Sequence, residues 1–84
     1  MLRIKDNVDL KELEKFYFKP NGRIYSKYRD SYTFDFAKIT IFVHNREIVL
    51  KNKNGIVVKR VAGWHKEQLD ALIQAGLVEK VEEV

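Results

Sequence analysis

The signal that decides the fold lies in the stretch Glu47-Ile48-Val49-Leu50-Lys51-Asn52-Lys53-Asn54-Gly55-Ile56-Val57-Val58. Apolar runs flank Asn54-Gly55, and Asn-Gly between such runs is the strongest short-range signal for a β-hairpin. A three-residue loop pairs Leu50 with Val58 and places Val49 and Val57 together on the other face. A two-residue loop shifts this register, and the sequence leaves both loops open.

The residues before this hairpin predict further antiparallel strands. Two runs rich in strand-forming residues, 23–28 and 32–36, are separated by a polar break at 29–31, and the rings of the second run are expected to share one face. From residue 37 to 43 the apolar alternation changes phase, and a slip of one residue turns every side chain to the opposite face. We therefore expect a bulge or bend near Phe36-Ala37 and a tight turn at His44-Asn45-Arg46.

The segment before Pro20 predicts a helix that begins at Asp9. An Asp in this position accepts a hydrogen bond from backbone N–H groups that lack a partner within the helix. Glu12 follows three residues later, as in a capping box. The residue before a proline disfavours the helical conformation, so the helix ends before Pro20, and Asn21-Gly22 predicts a turn.

Apolar side chains at helical spacing predict the buried stripe of each helix. In the first helix these are Leu10, Leu13 and Tyr17, with Phe16 beside them; in the second helix, residues 65–75, they are Leu69, Leu72 and Ile73. Gly76 is placed to end the second helix in the left-handed conformation. Residues 77–81 then predict a last strand.

With a short strand at residues 2–5, these elements follow the order β-α-β-β-β-β-α-β. The order predicts an α+β fold, in which two helices pack on one face of a mainly antiparallel sheet of four to six short strands. A chain of 84 residues is expected to form one domain, residues 1–84.

Composition excludes several classes of protein. The chain has no cysteine, so disulfides, thiolate metal sites and cysteine nucleophiles are absent. The first residues lack the apolar run of a signal peptide, and no apolar segment approaches the roughly 20 residues that cross a bilayer. We therefore expect a soluble protein of a reducing cytoplasm, with no membrane partner.

The arrangement of reactive side chains does not predict an enzyme. His44 lies beside a turn and His65 near a helix start, and they lack the spacing of a zinc-binding helix. The four glycines occupy turn or cap positions rather than a phosphate-binding loop. We expect no catalytic site, no metal site and no cofactor.

Positive charge and aromatic rings concentrate in the middle of the chain. From Lys15 to Lys66 there are twelve Lys or Arg residues against three acidic ones, whereas the remaining ends hold four against nine. All ten aromatic residues lie between Phe16 and Trp64. This segregation predicts a basic, aromatic-rich face on the sheet.

The residues expected to form that face lie on two predicted hairpins. They are Arg23, Tyr25, Lys27 and Arg29, extended by Lys51, Lys59 and Arg60. A surface rich in Tyr and Arg has the composition of protein-interface hot spots, and its positive charge suits an acidic partner. The same residues could neutralise phosphates and stack on unpaired bases, so nucleic acid is the alternative. Self-association through a strand edge is the third alternative, and the oligomeric state stays open.

Trp64 admits two interpretations. It follows Ala62-Gly63 directly and precedes the second predicted helix. An exposed tryptophan there would serve as an anchor for a partner. A tryptophan before a helix also commonly closes one end of the core, which is the interpretation that we favour.

Both ends of the chain resemble a known group of proteins. The segments are Arg3-Ile4-Lys5-Asp6-Asn7-Val8-Asp9-Leu10-Lys11-Glu12-Leu13-Glu14-Lys15-Phe16 and Leu72-Ile73-Gln74-Ala75-Gly76-Leu77-Val78-Glu79-Lys80-Val81. They resemble short uncharacterised proteins encoded by phages and prophages of Gram-positive bacteria, which have no established activity. The resemblance implies an accessory role in the bacterial cytoplasm and a host or phage protein as partner. It assigns no functional residue.

Overall fold

The computed structural model describes residues 2–23 and 26–81, with side chains for all of these except residues 21–30. The described elements are β1 (Leu2–Ile4), a first 3₁₀ helix (Leu10–Phe16), β2 (Lys19–Arg23), β3 (Ser26–Phe34), a second 3₁₀ helix (Asp35–Ala37), β4 (Ile39–Phe42), β5 (Ile48–Lys51), β6 (Val57–Val58), α1 (Gly63–Gln74) and β7 (Val78–Lys80). Within these residues, β2-β3-β4-β5-β6 form one antiparallel sheet and β1-β7 form another. The predicted α+β class is confirmed, with one central strand more than the predicted order contains.

The hairpin at Asn54-Gly55 has the three-residue loop. Leu50 pairs with Val58, and the Asn52 N–H donates to the Ile56 carbonyl at 2.9 Å, so the loop is Lys53-Asn54-Gly55. Gly55 has φ of 81°, a conformation that side chains with a Cβ disfavour. Asn52 Oδ1 accepts hydrogen bonds from two N–H groups of the loop region, at 2.9 and 3.0 Å. The register predicted for the three-residue loop is therefore correct.

The prediction for residues 20–31 is wrong in two places. Asn21-Gly22 does not form the turn, because Asn21 pairs with Ser31 inside the β2–β3 ladder and the register shifts between Asn21 and Arg23. Between the Asn21–Ser31 and Arg23–Ser26 pairs, β2 advances by two positions, from Asn21 to Arg23, whereas β3 spans five, from Ser31 to Ser26, so the extra residues of the irregularity lie in β3. Arg23 pairs with Ser26, and β3 continues through the predicted polar break to Phe34.

The expected bend near Phe36-Ala37 is confirmed as a complete reversal of the chain. The 3₁₀ helix Asp35–Ala37 joins β3 to β4, and Lys38 follows in the left-handed conformation. The rings of the preceding run do not all share one face: Tyr32 and Phe34 pack against the core, but Phe36 is 93% exposed. The reversal separates Phe36 from the alternation of the strand.

The first helix begins as predicted but is a 3₁₀ helix. Asp9 accepts a hydrogen bond from the Lys11 N–H at 3.0 Å, which confirms the N-cap. Three residues per turn place Leu10, Leu13 and Phe16 on one face, and all three contact the core. Tyr17 was predicted in this stripe, and that is wrong, because it adopts φ of 69° at the helix end and is 79% exposed.

The predicted capping-box role of Glu12 is also not observed. The Glu12 carboxylate instead lies 2.9 Å from the ammonium group of Lys15. Asp9 therefore caps the helix without the reciprocal hydrogen bond.

The second helix begins two residues earlier than predicted. Leu69 and Leu72 are buried as expected, but the Ile73 side chain is about half exposed. The helix ends in a Schellman motif: the Gly76 N–H donates to the Ile73 carbonyl at 3.0 Å and the Leu77 N–H to the Leu72 carbonyl at 3.2 Å. Gly76 has φ of 76°, which confirms its predicted role.

One core lies between the helices and the inner face of the larger sheet. It consists of Ile4, Leu13, Phe18, Ala37, Ile39, Ile41, Ile48, Leu50, Leu69 and Leu72. Cross-strand neighbours supply its rows, since Ile39 pairs with Leu50 and Ile41 with Ile48. The two helices thus cover the same face of the sheet, as the order of elements predicted.

Arg46 joins the two sheets, which the sequence did not indicate. Its Nη1 donates to the carbonyls of Lys5 and Val8 at 2.8 and 2.6 Å. Its own carbonyl accepts from the Ile4 N–H at 2.9 Å. These bonds hold β1 against the start of β5, where Arg3 forms a bridge with Glu47.

No helix among the described residues has the length and hydropathy needed to span a bilayer.

Candidate functional site

Three of the seven residues predicted for the basic face have described side chains. Lys51 is partly buried at the end of β5, whereas Lys59 and Arg60 are exposed just after β6. All three therefore lie on or beside the β5–β6 hairpin.

The other four predicted residues cannot be assigned to one surface. Tyr25 lies outside the described residues, as do the side chains of Arg23, Lys27 and Arg29. The backbone shows that these residues do not follow a single strand, because Arg23 belongs to β2 while Lys27 and Arg29 belong to β3. Their role in a common face stays a prediction.

A cavity of about 630 Å³ opens where the two sheets meet. We call it the edge slot. Its apolar lining comes from Leu2, residues 48–50, Val57, Val58, Val61 and Val81. Glu47, Lys59 and Lys80 supply its charged groups. Its volume lies within the range of ordinary ligand pockets.

The edge slot exists because β1 and β6 share one edge of β5. One edge of β5 pairs with β4. On the opposite edge, Leu50 and Lys51 pair with β6, and Glu47 is bridged to Arg3 of β1. Two short strands therefore lie end to end along β5, and the gap between them forms the slot.

Apolar side chains around the slot are exposed. Ile56 and Val57 are each 61% exposed, and Val61 is half exposed. Branched aliphatic residues in strands usually pack against a neighbour, and Val57 of β6 is exposed instead.

The backbone of β6 is also accessible. Hydrogen-bonded and non-hydrogen-bonded pairs alternate along an antiparallel ladder. Asn52 and Ile56 are linked by a hydrogen bond, so the next pair, Lys51 and Val57, is of the non-hydrogen-bonded kind. The N–H and carbonyl of Val57 therefore point away from β5, towards the outer edge of the sheet.

The charged groups at the slot are mainly positive. Among the described residues, the ion pairs contain only two cationic residues, Arg3 and Lys15. No ion pair with another described residue is therefore formed by Lys59, Arg60 or Lys80. The carboxylate of Glu47 accepts a hydrogen bond from Asn45 Nδ2 at 3.4 Å. Among the described residues that line the slot, the charged side chains are therefore two lysines and one carboxylate.

A buried histidine fixes the segment after β6. His65 has no exposed surface, and its Nδ1 accepts a hydrogen bond from the Ala62 N–H at 3.0 Å. The ring hydrogen then lies on Nε2, which donates to the Lys51 carbonyl at 2.8 Å. Sequence reasoning missed this role, although a side chain at the third helical position that bonds back to the N-cap N–H is half of a capping box.

Trp64 packs beside this histidine. Its ring centroid lies 5.3 Å from that of His65, and Lys53 Nζ lies 5.7 Å from the indole centroid. Its Nε1 also lies 2.9 Å from His65 Nε2, but this contact is not a hydrogen bond, because Nε2 carries the ring hydrogen when Nδ1 accepts from the Ala62 N–H. The ring is 42% exposed and is not among the side chains that pack against the apolar core, so the favoured interpretation of a core-closing tryptophan is not confirmed.

A second cavity, of about 200 Å³, lies beside the first 3₁₀ helix. The exposed rings of Tyr17 and Phe36 line it, together with Lys19 and Asp35. Its charged residues have opposite signs, and it is much smaller than the edge slot.

The edge slot is suited to binding. Its aliphatic walls, outward backbone groups and cationic side chains offer packing, hydrogen bonds and charge. Among the described residues, no group of three or more His, Asp or Glu side chains could hold a metal ion.

No family model, curated protein or solved structure matches this chain. The resemblance of its two ends to phage and prophage proteins therefore stays a prediction.

Proposed function

We propose that this chain is a non-catalytic interaction module that docks on a protein partner through the edge slot and the basic residues beside it. The observation that carries the proposal is the exposure of Val57 and Val61, which line an apolar cavity. β6 contributes only two residues to the sheet, so its pairing does not explain why exposed branched side chains occur here. Contact with a partner gives them a role.

The chemistry of the slot favours protein over nucleic acid. Binding of unpaired bases relies on aromatic rings interleaved with cations. The walls of the slot are Leu, Ile and Val side chains, and the exposed rings of Tyr17 and Phe36 lie in the other cavity. Lys51, Lys59 and Arg60 therefore act in the proposal as the charged rim of a protein interface.

The setting of this function rests on the ends of the sequence. Their resemblance supports an accessory role of phage or prophage type, in the cytoplasm of a bacterial host. A host or phage protein with an acidic docking surface is the partner that this setting and the lysines beside the slot, Lys59 and Lys80, together favour.

The test is photo-cross-linking inside bacteria that express the full chain. A photoreactive amino acid replaces Val57 in one variant and Phe36, on the other cavity, in a matched control. We expect a discrete protein adduct from position 57 that survives nuclease treatment and is absent from position 36. Adducts that disappear with nuclease would instead support nucleic acid, and adducts of equal yield at both positions would contradict docking at the slot.

A further inference from the structure

The second cavity lies where β2 begins and β3 ends. Lys19, the first residue of β2, pairs with Thr33 of β3. Tyr17 lies at the end of the first 3₁₀ helix, and Asp35 and Phe36 belong to the second. We call this cavity the aromatic pocket, and its lining consists of Tyr17, Lys19, Thr33, Phe34, Asp35 and Phe36. None of these residues lines the edge slot, so the two sites are separate.

The Phe36 ring is exposed and yet held in position. It is 93% exposed, and it meets the Phe34 ring at 88° with the two centroids 6.3 Å apart. The Phe34 ring in turn lies 5.6 Å from the ring of buried Phe18. These contacts run from the core to the surface and orient the outermost ring before any ligand arrives, which lowers the entropy cost of binding.

Tyr17 has a backbone conformation that disfavours its side chain. Its φ is 69°, in the left-handed region, and the residue is 79% exposed. Helix ends usually place Gly or Asn in this conformation, and a bulky residue there is uncommon. Strained residues of this kind cluster at ligand sites. The tyrosine ring is therefore presented at the surface at a cost in stability.

The charges of the aromatic pocket determine the class of its ligand. Lys19 and Asp35 are its charged residues, and neither forms an ion pair with another described residue. Asp35 disfavours an anion, and Lys19 disfavours a cation. A purely apolar ligand would take both charges out of water without a hydrogen-bond partner. The ligand that suits this pocket is therefore neutral and carries both hydrogen-bond donors and acceptors.

We propose that the aromatic pocket binds one neutral pyranose sugar ring whose hydroxyl groups are equatorial. The faces of such a ring present C–H groups, which pack on the electron-rich faces of Tyr17 and Phe36. The hydroxyl groups lie around its rim, and each of them both donates and accepts. One accepts a hydrogen bond from the Lys19 ammonium group, and another donates to the Asp35 carboxylate.

The size of the pocket limits the ligand to a single ring. Its volume is about 200 Å³, whereas ordinary ligand pockets begin at roughly 300 Å³. A longer saccharide would therefore place one ring in the pocket and leave the others in solvent.

The probe is methyl β-glucoside, added to the full chain and followed by amide chemical shifts. We expect saturable shifts at Lys19, Thr33 and Phe36, with an affinity that changes little with salt because the ligand has no charge. Sorbitol carries similar hydroxyl groups on an open chain, and as the matched control it should cause no saturable shifts. Absence of saturable shifts with the glucoside would overturn the inference.

Variants at position 36 separate ring stacking from simple exposure of apolar surface. Phe36→Leu keeps an apolar side chain and should weaken glucoside binding by about tenfold, whereas Phe36→Trp keeps a ring and should bind at least as tightly as wild type. Ile56→Ala removes exposed apolar surface beside β6, three strands from β3, and should bind as wild type does. Equal affinities of the Leu and Trp variants would overturn the role of the ring.

A Tyr17→Asn variant separates binding from stability. Asn tolerates the left-handed conformation, so the thermal midpoint should stay the same or rise while glucoside affinity falls. A tyrosine with a purely structural role would give the opposite result, a lower midpoint with unchanged affinity, and that result would exclude Tyr17 from the site.

Adenosine monophosphate tests the other ligand that aromatic rings favour. Its base can stack on Tyr17 or Phe36, but its phosphate is repelled by Asp35, so it should bind more weakly than the glucoside. Tighter binding of the nucleotide would overturn the inference, as would a protein adduct at position 36 in the cross-linking experiment. Because the two sites share no lining residue, failure of the glucoside to bind leaves docking at the edge slot unaffected.

Discussion

The two edge strands of the larger sheet, β2 and β6, are built in opposite ways. β2 has five residues, carries exposed Lys19 and Pro20, and contains a register shift after Asn21. β6 has two residues and exposes Val57, with Ile56 beside it. Lysine, proline and bulges are the means by which sheets prevent further pairing, whereas exposed branched apolar side chains encourage it.

This difference shows that only one edge is protected by its sequence. β6 has no proline and no charged residue, and its shortness alone limits pairing. It depends on the Gly55 loop on one side and on the segment held by His65 on the other. Changes at these supports should therefore affect the β6 edge first.

The largest expected effect is at His65. Replacing His65 by Ala removes hydrogen bonds to the Ala62 N–H and the Lys51 carbonyl and leaves a space in the core. We expect the free energy of unfolding to fall by about 2–4 kcal/mol. Urea denaturation measures this change, and His44→Ala, at an exposed histidine, should change stability by no more than about 0.5 kcal/mol. Similar effects of the two variants would contradict the anchoring role.

The next effect separates two glycines, Gly55 and Gly63, at which an added methyl group would meet only open space. Gly55 has φ of 81°, so Gly55→Ala should destabilise the protein by about 1–2 kcal/mol. Gly63, at the start of α1, lacks a positive φ, and Gly63→Ala should stabilise by about 0.4–1 kcal/mol, because the unfolded chain loses freedom. Thermal unfolding of both variants checks the opposite signs. A loss of stability in both would show that conformation does not distinguish them.

These supports also show what the sequence could predict. The Gly55 loop, the Asp9 cap and the Gly76 helix end were correct because a few adjacent residues determine each of them. Asn21-Gly22 was misassigned because a dipeptide that favours a turn can also lie inside a strand, and only the pairing of Asn21 with Ser31 decides between the two. A few adjacent residues predict such elements correctly unless the same residues are compatible with two different local structures.

The candidate site was less predictable than the fold. Lys59 was predicted as part of a binding face, but the slot beside it depends on where β1 and β6 meet along β5. That meeting brings Leu2 near Val58, which are far apart in the chain. The concentration of positive charge along the sequence predicted Lys59, one of the charged residues of the slot. The apolar walls of the slot could be identified only from the tertiary structure.

A smaller effect is expected when the protected edge is opened. Pro20→Thr adds an N–H to β2, and Pro20 lies opposite Tyr32 at the edge of the sheet. Because edge positions require no donor, stability should change by less than about 1 kcal/mol. Self-association should increase instead, which sedimentation at several protein concentrations would detect. Unchanged sedimentation would mean that Lys19 and the register shift protect this edge without the proline.

The smallest expected effect is a pH dependence on the β2 side of the sheet. Burial raises the pKa of Tyr32 above its usual value of 10.0, and the negative charges of Glu14 and Asp9 add to the rise. The folded state therefore holds the phenol proton more tightly than the unfolded state. The stability that this contributes is fully present below pH 10 and is lost as the pH rises through the folded-state pKa.

The Tyr32→Phe variant isolates this contribution from the lysines, which titrate in the same range. The difference in unfolding free energy between wild type and variant should be constant near pH 8 and should shift against wild type at alkaline pH. Denaturant titrations at a series of pH values measure it. A constant difference throughout would mean that Tyr32 ionises equally easily in the folded and unfolded chains. If only the wild-type protein loses unfolding free energy at alkaline pH, the loss is assigned to Tyr32 in β3, the strand that pairs with β2 at the edge opposite β6.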